Sequence, residues 1–194
     1  MIAIVNYNAG NIRSVQNALD RLGAPHVLTA DPYVLSSAEK VIFPGVGEAS
    51  SAMHYLKERK LDRVITSLSQ PVLGICLGLQ LLCMSSEENE TDCLGVFDVS
   101  VRRFPDQGII PHTGWNNLVA TSGLLFSNYV VGDDVYFVHS YFAALCVDTV
   151  AVCDYILPFS AALQKNNFYA TQFHPEKSQT SGLTLIKNFL NYYA

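Results

Sequence analysis

The strand-to-helix corner at Gly74-Ile75-Cys76-Leu77-Gly78 constrains the fold more than any other stretch. Pro71-Val72-Leu73 before it is a short apolar run with strand character, and Leu79-Gln80-Leu81-Leu82-Cys83-Met84 after it reads as a buried helix. A residue held at such a corner takes a strained backbone conformation, and small residues two positions either side let the turn close. Its side chain is lifted clear of the sheet, toward the first backbone N–H groups of the helix. Those donors favour negative charge, first on a thiolate and then on an oxyanion. Cys76 is therefore a candidate nucleophile, although the pentapeptide alone is equally a tight turn beside the core.

The segments around it alternate. Residues 2–6 form an apolar run suited to a central parallel strand. A helix follows with Ile12, Val15, Leu19 and Leu22 on one face, Asn11 as its expected N-cap and Gly23 as its stop. Further strands are expected at 26–29 and 40–43, helices at 48–58 and 61–68, and the strand before Cys76 is the fourth. This spacing predicts an α/β fold: a doubly wound, mostly parallel, flavodoxin-like sheet with right-handed crossovers and helices on both faces. After residue 93 the pattern changes. Alternation over 94–104 and strand-like runs at 135–138, 149–152 and 168–173 predict antiparallel additions, and a last helix is expected over 182–193. The chain of 194 residues is expected to form a single domain over 1–194.

In open sheets of this kind chemistry collects at the carboxyl ends of the strands. Three loops fall there: Tyr7-Asn8-Ala9-Gly10-Asn11, Pro44-Gly45-Val46-Gly47 and the corner at Cys76. The glycines of the second let its backbone approach a ligand, with free N–H groups to complement that of Leu77, though such a stretch is ordinarily no more than a turn. A thiolate needs a base, and a base needs an orienting group. Phe173-His174-Pro175-Glu176 supplies both, because Pro175 keeps His174 extended and lets residues two apart face one region. Alone, that tetrapeptide is a surface turn. Beside the corner cysteine and the glycine-rich loop, it reads as catalytic.

These motifs resemble the class I (triad) glutamine amidotransferases, and the likeness runs along essentially the whole chain. Tyr7-Asn8-Ala9-Gly10-Asn11 with Arg13-Ser14-Val15, Pro111-His112-Thr113-Gly114-Trp115-Asn116 and Val138-His139-Ser140-Tyr141-Phe142 are similar to one branch, the glutaminase subunits serving imidazole glycerol phosphate synthesis in histidine biosynthesis. Thr113 and Leu79 stand where Met is frequent in that branch. The resemblance implies that Cys76 attacks the side-chain amide of L-glutamine, that His174 moves the protons and that Glu176 orients His174. It implies oxyanion donors near Val46, Gly47 and Leu77, and glutamine contacts from Gln80, Ser140 and Tyr141; on pattern alone Gln80 is equally a helix-capping polar residue. It also implies a heterodimer with a (β/α)8-barrel cyclase that consumes the ammonia and makes imidazole glycerol phosphate and AICAR. Asn8, Asn11, Trp115, Tyr136 and Lys177 are candidates for that interface, with Trp115 and Tyr136 alternatively core aromatics. Another class I glutaminase, of purine, pyrimidine or anthranilate type, and a non-catalytic binding module of the same fold are the competing readings.

Composition narrows the rest. Charged residues make up 15% of the chain against a usual ~25%, which fits surface covered by another protein and equally an ordinary chain with an oversized core. A net charge of −5 with no basic run beyond Arg102-Arg103 gives no nucleic-acid signature. No apolar run is long enough to cross a membrane, and Met1-Ile2-Ala3-Ile4-Val5 enters a strand pattern without a signal-peptide basic region. Five cysteines, odd in number and without a C-x-x-C pair, predict neither a disulfide framework nor a zinc site. A cytoplasmic setting, no cofactor and no metal are expected.

Overall fold

Ile2 and Ile4 pack on one side of the first strand and Ala3 and Val5 on the other, so Ile2–Val5 (β1) is covered on both faces. That pattern belongs to the interior of a parallel sheet. The computed structural model describes residues 1–7 and 10–191. From β1 the chain runs through Ile12–Arg21 (α1), His26–Thr29 (β2), Pro32–Ser37 (α2), Lys40–Gly45 (β3), Ala49–Glu58 (α3), Leu61–Thr66 (α4), Val72–Cys76 (β4) and Leu77–Leu82 (α5). Shorter elements follow: Cys83–Ser86 (β5), Thr91–Asp92 (β6), Phe97–Arg103 (β7), His112–Asn117 (β8), Ala120–Thr121 (β9), Asp134–His139 (β10), Tyr141–Ala143 (β11), Thr149–Asp154 (β12), Pro158–Lys165 (β13) and Phe168–Thr171 (β14). Helix Gln179–Asn191 (α6) closes the described chain.

The main sheet has the order β2-β1-β3-β4-β14-β13-β12-β9. The first five strands are parallel and the rest antiparallel, as the sequence predicts. Two apolar cores sandwich it. Leu35, Met53, Leu56, Ile65 and Leu79 from α2 to α5 fill one. Val15 and Leu19 of α1, with Leu185, Ile186 and Phe189 of α6, fill the other. Small sheets β10-β8 and β11-β7-β5-β6 extend beyond it.

Some boundaries differ from the sequence expectation. The helix after the corner starts at Leu77 and stops at Leu82, so Met84 lies in a strand. Residues 94–96, expected in an alternating strand, take over the carbonyls at the helix end: Leu94, Gly95 and Val96 N–H donate to Leu81, Cys83 and Leu82 at 2.8, 2.8 and 2.9 Å. Asn11 precedes α1 with φ 66°, but its side chain makes no capping bond. Gly23 does end that helix, with φ +65°.

Candidate active site

The site is assembled by strand register. Gly45 at the end of β3 stands opposite Cys76 at the end of β4, and Thr171 of β14 stands opposite Ile75 on the other side. The residues just beyond, Val46-Gly47 and Gln172-Phe173-His174, therefore flank Cys76 from its two neighbouring strands. Cys76 has φ 54° and ψ −106°, the strained corner that the sequence predicts. Gly78 makes the corner possible, since a Cβ there would overlap the Phe43 carbonyl.

His174 is extended (φ −97°, ψ 94°), and its ring Nδ1–H donates to Glu176 Oε1 at 2.8 Å. Asn11 Nδ2 donates to the same oxygen at 2.8 Å. Asn11, named by the sequence for a helix cap and a partner edge, is thus bound to the carboxylate that holds His174. The imidazole and carboxylate are each 1% exposed. Nε2 of His174 meets no protein atom in good hydrogen-bond geometry, yet the Cys76 sulfur is near enough to act on its charge. Burial pushes the His174 pKa down most strongly of any single influence, but Cys76 and Glu176 together outweigh it and raise the group to about 10. The pair is suited to carrying a proton between sulfur and imidazole.

Beside Cys76 opens a cleft of about 340 Å³. Val46, Gly47, Leu77, Gln80, Ser140 and Tyr141, all named from the sequence, line this one space with the sulfur. Gln80 is buried, and its Nε2 donates to the Tyr141 carbonyl (3.0 Å) and to Gln172 Oε1 (3.1 Å), which fixes the amide orientation. Gln172 Nε2 points in turn at Cys76 Sγ, 3.7 Å away.

Besides the apolar Pro111 and Val138, two titratable lining residues escape the sequence reading. Glu88 reaches the cleft from the short turn after β5, with its Oε2 accepting from Ala49 N–H at 2.7 Å. Burial is the main cause of its raised pKa. Its only sequence signal is one acid among several in Ser85-Ser86-Glu87-Glu88-Asn89-Glu90. The other is His139, which stands inside a motif that carries the resemblance but has no role in it.

The expected partner edge divides. Trp115 and Tyr136 face each other across β8 and β10, rings edge to face at 5.6 Å, with Lys177 Nζ 5.7 Å from the Tyr136 ring centre. Trp115 is 47% exposed and so is no core aromatic. The Tyr136 carbonyl accepts from His174 N–H at 2.9 Å, which ties this edge to the His174 backbone. Asn8 lies outside the described residues. Among the described residues no cluster of His, Cys, Asp and Glu is placed to hold a metal ion, and no helix is long and apolar enough to cross a membrane.

Residues 4–192 match the family model described as glutamine amidotransferase class-I. The imidazole glycerol phosphate synthase subunit HisH of Bacteroides thetaiotaomicron is 56% identical over 193 residues, covering 98% of both chains. The protein of the same name from Escherichia coli K12 is 45% identical over 192 residues, 97% of this chain and 98% of that one. Among solved structures, a putative GMP synthase protein from Thermoplasma acidophilum superposes with a TM-score of 0.76 at 20% identity, over 98% of this chain and 92% of that one. PurLQS from Thermotoga maritima gives 0.71 at 18% identity, over 98% and 97%. At such identities these last two speak for the fold alone.

Proposed function

The chain belongs to the class I glutamine amidotransferases, within them to the HisH subunits of imidazole glycerol phosphate synthase, and from that premise we propose how its site works. It is a glutaminase. The Cys76 sulfur adds to the side-chain amide carbon of L-glutamine, and the resulting oxyanion takes N–H donors from the Val46-Gly47 strand and from Leu77. His174 holds the proton and gives it to the departing nitrogen, so ammonia leaves and a thioester remains. His174 then takes a proton from water, whose oxygen attacks the thioester, and glutamate departs with Cys76 restored. Glu176 supports the imidazolium. Gln80, Ser140 and Tyr141 hold the substrate. Glu88, the carboxylate in the same cleft, suits the substrate's α-ammonium group.

The observation that carries this reading is the convergence of Cys76 with six named lining residues in one cleft, flanked by the His174–Glu176 pair. Ammonia released to water would be protonated and lost as a nucleophile, so the reading includes an adjoining acceptor: the (β/α)8-barrel cyclase subunit, docked at the Trp115, Tyr136 and Lys177 edge, in the cytoplasm. The whole of 1–194 acts as one domain in this scheme, with no cofactor of its own. The test is reconstitution with the barrel subunit. Cys76→Ser should abolish synthesis from glutamine and leave synthesis from ammonium salts intact. Joint loss of both activities, with the complex still assembled, would overturn the division of labour.

A further inference from the structure

Behind the Ser140-Tyr141 wall of the cleft lies a buried pair of histidines with no part in the scheme above. His139 is 6% exposed and His112 is 3% exposed, and His112 Nδ1 stands 3.1 Å from His139 Nε2. Carbonyls at both ends settle which nitrogens carry protons. His139 Nδ1 lies 2.8 Å from the Tyr141 carbonyl, which can only accept, so Nδ1 bears the hydrogen and Nε2 is the acceptor. His112 Nδ1 must then donate, leaving His112 Nε2 as an acceptor. The other end agrees independently. Asn116 Nδ2 donates to the Asp154 carbonyl at 3.1 Å, which fixes the amide, and the same nitrogen lies 3.4 Å from His112 Nε2. Both rings are thus neutral Nδ1–H tautomers, pointing one way from Asn116 to Tyr141.

The receiving carbonyl is the one that Gln80 Nε2 also bonds. Tyr141 O therefore joins the histidine chain on one side to the substrate-facing amide on the other. With both nitrogens engaged, His139 lines the cleft without being free to serve as a base. Burial depresses both histidines, His112 to about 4 and His139 to about 3, in keeping with neutral rings. His112 is itself clamped, its ring stacked on Tyr155 at 3.9 Å and on Phe137 at 4.7 Å.

We propose that His112 and His139 are positioning residues of the glutaminase: a tautomer-locked pair that fixes the Tyr141 carbonyl and, through it, the Gln80 and Ser140-Tyr141 wall against which glutamine binds. The proposal rests on the glutaminase reading of the cleft. It assigns the pair an effect on substrate affinity, not on the chemical step.

Two measurements on the chain in complex with its barrel subunit test it. Imidazole nitrogen NMR should show both rings as neutral Nδ1–H tautomers from about pH 8 to about pH 5, where an ordinary histidine would have titrated. An Nε2–H tautomer or an imidazolium at either ring overturns the relay. Kinetically, His112→Phe keeps a flat ring between Tyr155 and Phe137 but removes the donor. It should raise KM for glutamine about tenfold with kcat within about twofold, the signature of lost binding and not of lost catalysis. His112→Asn returns a donor near the Nδ1 position and should recover most of the affinity despite poorer stacking. Unchanged KM in His112→Phe, or equal losses in both variants, would leave only packing and sink the proposal. Should the unsubstituted complex fail to turn over glutamine, the functional reading fails instead, and the ring tautomers still decide the relay.

Discussion

A single oxygen, Glu176 Oε1, accepts from both His174 Nδ1–H and Asn11 Nδ2, each at 2.8 Å, inside a nearly dry shell. The negative charge there helps to lift His174 to about 10. Glu176→Gln keeps an acceptor but removes the charge, so the imidazolium becomes harder to hold and the pKa falls. The alkaline limb of kcat/KM should move to lower pH, with kcat down by the order of 10². An unmoved limb would show that Glu176 is not the charge partner. The corner residue makes a different demand. At Gly78 the backbone passes so close to Phe43 that a Cβ must displace the β3 carbonyl. Gly78→Ala should therefore cost about 1–3 kcal/mol or more in folding, read as a lower urea midpoint. Both positions are legible in the sequence because each is defined by its immediate neighbours. The partners of Asn11 are not: its bond to Glu176 spans 165 positions, and a residue before a helix reads as a cap.

At the scale of elements, legibility follows periodicity. The buried parallel strands and the amphipathic α1 announce themselves by apolar spacing. Strand β8, His112-Thr113-Gly114-Trp115-Asn116-Asn117, does not, because its one fully buried side chain is a histidine and its exposed face carries the Trp. β13 is hidden in the sequence since Phe159 through Leu163 are all buried, leaving no alternation. α2 is six residues long, marked only by the Asp31 cap and Pro32. The histidines of β8 and β10 give these strands a pH signature. Because burial lowers both from 6.5, to about 4 and about 3, the unfolded chain takes up protons first as pH falls. Their contribution is complete above pH 6.5 and declines as pH drops toward 4, by up to about 1.4 kcal/mol per pH unit for each ring. His174, raised instead, is already protonated in the fold across that window and adds no acid loss. Glu48, held down to about 2 chiefly by its hydrogen bonds to Ser50 and Ser51, acts only below 4.5, and half-buried Glu88 opposes part of the slope. Urea midpoints should therefore fall between pH 6.5 and 4.5, and less steeply in His112→Phe. A flat midpoint across that interval would contradict two buried neutral rings.

For the whole molecule, an exposed edge is connected to the buried His174–Glu176 pair. The sequence's low charge hints at a covered surface, and the structure offers a connected route. Trp115 packs on Tyr136; the Tyr136 carbonyl holds His174 N–H, and its own N–H is held by Ser178 Oγ at 2.9 Å, while Ser178 Oγ also donates to the His174 carbonyl at 2.6 Å. A partner that buries the half-exposed Trp115 would therefore press on the strand from which His174 hangs. Because that ring contributes little to the chain's own core, Trp115→Ala should leave the melting temperature of the isolated chain within about 2 °C. Its effect belongs to association: loss of a central aromatic anchor costs about 2 kcal/mol, or some thirtyfold in Kd for the barrel subunit. If docking also sets the His174 backbone, glutaminase turnover at saturating partner should remain below that of the unsubstituted complex, and ammonia should appear in solution in excess of cyclised product. Calorimetric titration and a paired assay of glutamate and cyclised product separate these effects. An unchanged Kd with tight coupling would move the partner elsewhere on the molecule, while a weakened Kd with full coupling at saturation would leave Trp115 an anchor and place the regulation of the triad in other residues.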